Sequence, residues 1–195
     1  MRREGLSPSP LTGEGEGESK PARETARVFF ALWPDEVFSK QLHQASAVLH
    51  QAHGGRRMQP DTVHLTLLFI GAIARERLPE LQAAASAIRA PKFDVVFDRP
   101  DCWRHNRIAF LTASQAPNGL FDLVKALEMQ TEQTGIAFDR RPYTPHITLV
   151  RNADCTKTKP ALEPMVWAAR DFVLVESSLN SAEASYEQIA RWPLL

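Results

Sequence analysis

His64-Leu65-Thr66-Leu67 and, 82 residues later, His146-Ile147-Thr148-Leu149 repeat one pattern: an imidazole and a hydroxyl two residues apart in an apolar run. Side chains alternate along a β-strand, so His64 and Thr66 leave one face while Leu65 and Leu67 enter the other. His146 and Thr148 repeat that arrangement. Each copy follows a predicted helix, which suggests an internal duplication. Two like halves about a pseudo-twofold axis would bring the two strands together and set the histidines on opposite walls of one cleft. Threonine is common in strands, and one such pattern alone reads as a half-exposed strand. The second copy in the same context gives the pair its meaning.

Around these motifs the chain alternates strands and helices. Arg27-Val28-Phe29-Phe30-Ala31-Leu32 reads as a buried strand, with Phe29 in the core. Trp33-Pro34-Asp35-Glu36 opens a helix that runs to about His53 and closes at Gly54-Gly55. Val63 to Phe69 is the first His–Thr strand, and Arg75 to Ala90 a second helix stopped by Pro91. Phe93 to Phe97 and Ile108 to Thr112 are expected strands flanking a polar loop, Arg99 to Arg107. A third helix spans Leu120 to Thr134, and the second His–Thr strand about His146 to Val150. After a connector containing Lys and Pro, Phe172 to Glu176 and Tyr186 to Arg191 complete the strands. This order lacks the Gly-rich strand–helix turn of a doubly wound fold and points to the α+β class. Residues 1–24, rich in Pro, Gly, Ser and Glu, have almost nothing to bury and are expected to be a disordered extension of a single domain over 25–195.

Composition narrows the function classes. The 23 basic and 23 acidic residues cancel, so nucleic acid could be held only by a local surface. No apolar run approaches the length of a membrane span, and the N-terminus lacks an apolar signal segment, which makes the cytoplasm the default expectation. Cys102 and Cys155 have no metal-ligand spacing and do not suggest a disulfide framework.

Two histidines facing each other suit acid–base chemistry on a small anion. A cyclic phosphodiester between them could be attacked by water that loses its proton to one neutral imidazole. The other imidazole, protonated, would then give its proton to the departing oxygen. Histidine populates both forms near neutrality. Displacement at phosphorus is in-line, so the base and acid must stand on opposite sides. The Thr66 and Thr148 hydroxyls can donate to the oxygens where charge grows. No Asp, Glu or Cys at fixed offsets completes a zinc set, so no metal or other cofactor is expected.

Other candidates are weaker. Arg151 follows the second motif directly, but strict alternation puts it on the face opposite His146. It reaches the site only if the strand ends or bulges there. Arg140, Arg141 and Tyr143 lie in a loop stiffened by Pro142 and Pro145 and could form a basic, aromatic lip. His105, in Trp103-Arg104-His105-Asn106-Arg107, is a candidate phosphate or base contact. His43 and His50 share an exposed helix face.

Four segments resemble the 2H phosphoesterase superfamily, and within it the RNA 2′,3′-cyclic phosphodiesterases, also called 2′-5′ RNA ligases. They are Arg27 to Leu32; His64 to Gly71; Arg141-Pro142-Tyr143-Thr144-Pro145-His146-Ile147-Thr148-Leu149-Val150-Arg151; and Leu174-Val175-Glu176-Ser177. The resemblance implies a bilobal fold with two pseudo-symmetric lobes, sheets lining a central cleft and helices outside. It implies hydrolysis of RNA or nucleotide 2′,3′-cyclic phosphate ends to 2′-phosphates and reversible 2′-5′ joining of tRNA halves, by a monomer without metal or nucleotide cofactor. His64 and His146 become the catalytic pair, with Thr66 and Thr148 as oxyanion donors and Arg151 as a substrate contact. His64 would be the acid and His146 the base. Related 2H proteins act on ADP-ribose cyclic phosphate, and a non-catalytic RNA-end binding module is the other alternative. One departure is that Ser178 to Tyr186 lacks the glycine common there in the family.

Overall fold

Val28, Phe30 and Leu32 leave one face of the first strand for the main core, while Phe29 and Ala31 leave the other for a smaller apolar cluster with Val173 and Val175. Both faces are covered, which is why this segment reads as a continuous apolar run. The computed structural model describes residues 25–180 and 183–195. The 1–24 extension and the centre of the Ser178–Tyr186 turn lie outside the described residues.

The elements in order are β1 (Thr25–Leu32), α1 (Glu36–His53), β2 (Arg56–Arg57), β3 (Leu65–Ala74), α2 (Leu78–Ser86), β4 (Phe93–Phe97), β5 (Arg99–Trp103), β6 (Ile108–Thr112), α3 (Asn118–Gln133), β7 (Ile147–Arg151), β8 (Met165–Ala169), β9 (Asp171–Asn180) and β10 (Glu183–Pro193). One sheet runs β10-β9-β1-β3-β7-β6-β5, with β2 paired to β7. A second, β4-β8, is two-stranded. The fold is α+β, with two sheets flanked by helices and a central cleft. Leu42, Leu49, Leu123 and Leu127 on the inner faces of α1 and α3 are buried in the main core. Asp35 caps α1, its side chain accepting from the Phe38 N–H at 2.8 Å.

Within the large sheet, the β10-β9-β1-β3 part and the β7-β6-β5 part meet at one residue pair. β3 and β7 are antiparallel and register only through Leu65 and Ile147, the central residues of the two His-x-Thr motifs. Every other pairing of β3 is with β1, and β7 otherwise pairs with β6 and β2. The central residues of the two motifs are thus the ones that pair, as the expected cleft between two like motifs requires.

Four expectations change. The second helix starts later, at Leu78, because Pro79 fits only a first helical turn; Arg75–Arg77 form a 3-10 turn before it. Part of the expected loop from Arg99 is β5, which tolerates Pro100 because it is the edge of the sheet. The connector holds β8, whose Trp167 is buried opposite Val95. The cysteines are not free. Cys102 and Cys155, 53 residues apart, form a disulfide with their Cα atoms 5.4 Å apart. Two cysteines carry no spacing signal when β5 and the segment after β7 come together only through the sheet.

That bridge closes a loop of 53 residues, and loops of this size restrict the unfolded chain appreciably. Cys102→Ser, or reduction, is expected to lower unfolding free energy by about 2–4 kcal/mol. Urea melts with and without a thiol reductant read it directly; coincident curves would contradict a formed bridge.

Candidate functional site

His64 and His146 each stand one residue before their strands begin, at the seam between the halves. With Leu65 opposite Ile147 in an antiparallel pair, each histidine lies towards the threonine of the other motif. His64, Thr66, His146 and Thr148 all line one cleft of about 550 Å³.

The two imidazoles are fixed in the same way. The Nδ1 of His64 is 2.8 Å from the Thr62 carbonyl, and the Nδ1 of His146 is 2.8 Å from the Thr144 carbonyl. A carbonyl oxygen only accepts, so each Nδ1 carries the hydrogen and donates it. Each Nε2 is then the nitrogen left for chemistry: a lone pair when neutral, a donor when charged. The second motif is anchored further by Thr112, whose buried hydroxyl donates to the Pro145 carbonyl at 2.7 Å.

Beyond the threonines both strands bulge at the same place. Phe30 faces Leu68 and Ala31 faces Thr66, so Leu67 is an extra residue in β3. Ala109 faces Val150 and Phe110 faces Thr148, so Leu149 is an extra residue in β7. A bulge resets the alternation. It turns Phe69 and Arg151, which occupy equivalent positions in the two halves, onto the cleft side, and both line the cleft. The bulge on which Arg151's access depended is therefore present. Gly55, at φ +87°, packs against this end of β7, where a Cβ would run into the Arg151 carbonyl oxygen.

The walls are aromatic and unequal. The His64 ring lies 5.1 Å from Trp33 at 8° and 4.8 Å from Phe29 at 29°, with Tyr186 edge-on at 5.2 Å. Phe29 is buried as expected, but on the cleft-side cluster rather than in the main core. The His146 ring meets Trp103 at 4.5 Å and Phe110 at 5.7 Å, both edge-on. Burial pulls His64 down to about 4; the Thr62 carbonyl opposes this, and the charges of His146 and Arg151 add to the lowering. Burial also lowers His146, against the Thr144 carbonyl.

Other sequence candidates are dispersed. Arg141 reaches the cleft but is exposed and paired with Asp139. The Tyr143 ring lines the cleft, while its hydroxyl is buried without a hydrogen-bond partner, and burial raises its pKa. His105 is exposed in the turn between β5 and β6, outside the cleft lining. Sequence reasoning missed Arg27 and Phe69 as cleft residues, whereas Trp103, from the loop considered for base contact, does line the cleft. Alternation back from Phe29 was a usable signal for Arg27; the bulge that turns Phe69 inward left none. Among the described residues, no group of three or more His, Cys, Asp or Glu could hold a metal, and no helix is long and apolar enough to cross a membrane.

The family model described as LigT like Phosphoesterase matches the chain twice in succession, over residues 32–110 and 111–183. An RNA 2′,3′-cyclic phosphodiesterase of Escherichia coli K12 is 32% identical over 173 residues, covering 88% of this chain and 98% of the relative. The crystal structure of E. coli LigT complexed with 3′-AMP superposes with a TM-score of 0.76 at 31% identity, covering 88% of this chain and 99% of the other. The same protein complexed with phosphate gives 0.73 at 29% identity, covering 88% and 98%.

Both histidines sit below the ordinary value of 6.5, so both are neutral at pH 7 in the free protein. Between pH 6.5 and about 4 the unfolded chain binds protons that folded His64 refuses, so stability should fall as pH drops through that window. NMR titration should show His64 titrating well below the ordinary 6.5, with inorganic phosphate moving both cleft histidines upward. A His64 that titrates at or above 6.5 without ligand would contradict this site.

Proposed function

The chain belongs to the LigT-like phosphoesterase family of the 2H phosphoesterase superfamily, and we propose that it hydrolyses RNA 2′,3′-cyclic phosphate ends to 2′-phosphates through His64 and His146. An enzyme of the hydrolase class is what family membership gives; the residue roles are inferred. The observation that carries them is the Leu65–Ile147 pair, with both Nδ1 atoms committed to backbone carbonyls. Phosphorus seated between the two Nε2 atoms has an imidazole on each side of its in-line axis.

The inequality of the walls orients the substrate. Arg151 offers a planar cation to phosphate oxygens, and the equivalent position in the first half is the apolar Phe69. The nucleoside therefore belongs on the His64 side, and its 3′ oxygen departs in that direction. Water enters from the other side, and His146 takes its proton as the new P–O bond forms. The P–O3′ bond breaks, and the electron pair left on O3′ takes the proton held at Nε2 of His64. Phosphorus keeps its bond to O2′. Thr66 and Thr148 donate to the oxygens that gain charge. A 5′-hydroxyl in place of water would make a 2′-5′ linkage by the same displacement, the route proposed for joining of tRNA halves.

Burial opposes a charged His64 in the free protein. An anion between the rings favours the charged form, so proton uptake at His64 accompanies substrate binding. Residues 25–195 are the unit proposed to carry this activity.

His64→Ala and His146→Ala should each lower turnover of a 2′,3′-cyclic nucleotide by at least about 10²-fold, and Thr66→Val by about tenfold or more. The product, followed by phosphorus NMR, should be the 2′-phosphate, and turnover should survive exhaustive chelation. A 3′-phosphate would reverse the pose; turnover by both histidine variants at wild-type rate would end the proposal.

A further inference from the structure

Arg27 takes no part in the steps above, yet it lines the same cleft. It lies two residues before Phe29 on β1, so alternation puts both on the cleft face. Its guanidinium carbon sits 4.7 Å from the centre of the Phe69 ring. One Nη1–H donates to the Ser177 hydroxyl at 3.1 Å, and that buried hydroxyl donates to the Arg27 carbonyl at 3.2 Å. The head group is thus held in one place by two neutral partners.

Its charge has no opposite charge beside it among the described residues, at a place where an anion is expected. Arg75, Arg77, Arg140, Arg141, Arg170 and Arg191 each have a carboxylate partner. Among the described residues, no carboxylate pairs with Arg27. A guanidinium lying on an aromatic face keeps edge N–H groups free, in the planar fork that matches phosphate oxygens.

Position decides which phosphate. Leu32 faces Leu65 at the seam, whereas Arg27 faces Ala72, five residues away along β1, and its guanidinium lies over Phe69. Arg27 is thus placed away from the phosphorus between the histidines. It lies on the Phe69 side, where the nucleoside is proposed to sit, and a chain continuing from that nucleoside's 5′ oxygen carries its next phosphate outward along this wall.

We propose that Arg27 binds the phosphodiester on the 5′ side of the terminal nucleotide, making an oligonucleotide with a cyclic end, rather than a cyclic mononucleotide, the preferred substrate. The inference rests on the cyclic-phosphodiesterase reading and adds a second phosphate subsite to it. Arg27 is a specificity determinant here and touches no reacting atom.

The test uses the full chain and three substrates: uridine 2′,3′-cyclic phosphate, the dinucleotide UpU with the same cyclic end, and that dinucleotide with a neutral methylphosphonate link. The wild-type protein should prefer the charged dinucleotide in kcat/KM, chiefly through KM, and lose most of the preference with the neutral link. Arg27→Gln should reduce the dinucleotide-to-mononucleotide ratio by about tenfold, the scale of one charge-assisted hydrogen bond. Arg27→Lys should restore much of it. Because the readout is a ratio within one protein, a general loss of folded enzyme leaves it unchanged. A wild-type protein with no dinucleotide preference, or an Arg27→Gln ratio equal to wild type, would overturn the proposal. Wild-type protein that turns over none of the three substrates would overturn the phosphodiesterase reading itself.

Discussion

A single antiparallel residue pair, Leu65 with Ile147, joins the two halves of the sheet at its centre, and the geometry of the cleft follows from it. Because the central residues of the two motifs are the ones that pair, the flanking histidines and threonines are carried to the seam from both sides. A register slip of one residue would send the motif side chains to the opposite face and bury two imidazoles among leucines. Leu65 and Ile147 are fully buried in the main core. The apolar packing that stabilises the fold therefore also sets the alignment of the site.

Pseudo-symmetry supplies two imidazoles with the same backbone restraint, and departures from it supply direction. The bulges at Leu67 and Leu149 fall at equivalent positions and turn one further side chain into the cleft on each side. In one half that side chain is Phe69; in the other it is Arg151. The surroundings of the imidazoles differ as well. Three rings crowd His64, whereas two meet His146 edge-on. Desolvation lowers His64 to about 4, which makes its proton costly until an anion arrives. Both imidazoles are neutral in the free protein, so the proposed acid–base pair is completed only when a bound anion favours the charged form of His64.

Much of this was legible in the residues because periodicity and capping are local. The His-x-Thr strands, the start of α1 at Pro34-Asp35 and its end at Gly54-Gly55 all follow from short-range rules. What escaped depends on contacts between distant segments. Arg151 lies on the wrong face by strict alternation, and only its pairing with β6 shows the extra residue that turns it inward. The Cys102–Cys155 bridge needs β5 to form an edge strand from residues that read as a loop. Phe29 belonged to an apolar run whose two faces look alike, so nothing local told the core from the wall of the cleft.

The central claim is that one phosphate sits between the two Nε2 atoms, held by both motifs at once. A crystal structure of the protein with a bound nucleoside 2′-phosphate tests it most directly. The account predicts phosphate oxygens within about 2.6–3.2 Å of Nε2 on both His64 and His146, with the Thr66 and Thr148 hydroxyls donating to the same group. A phosphate held by one histidine alone, or seated outside the seam between β3 and β7, would contradict it.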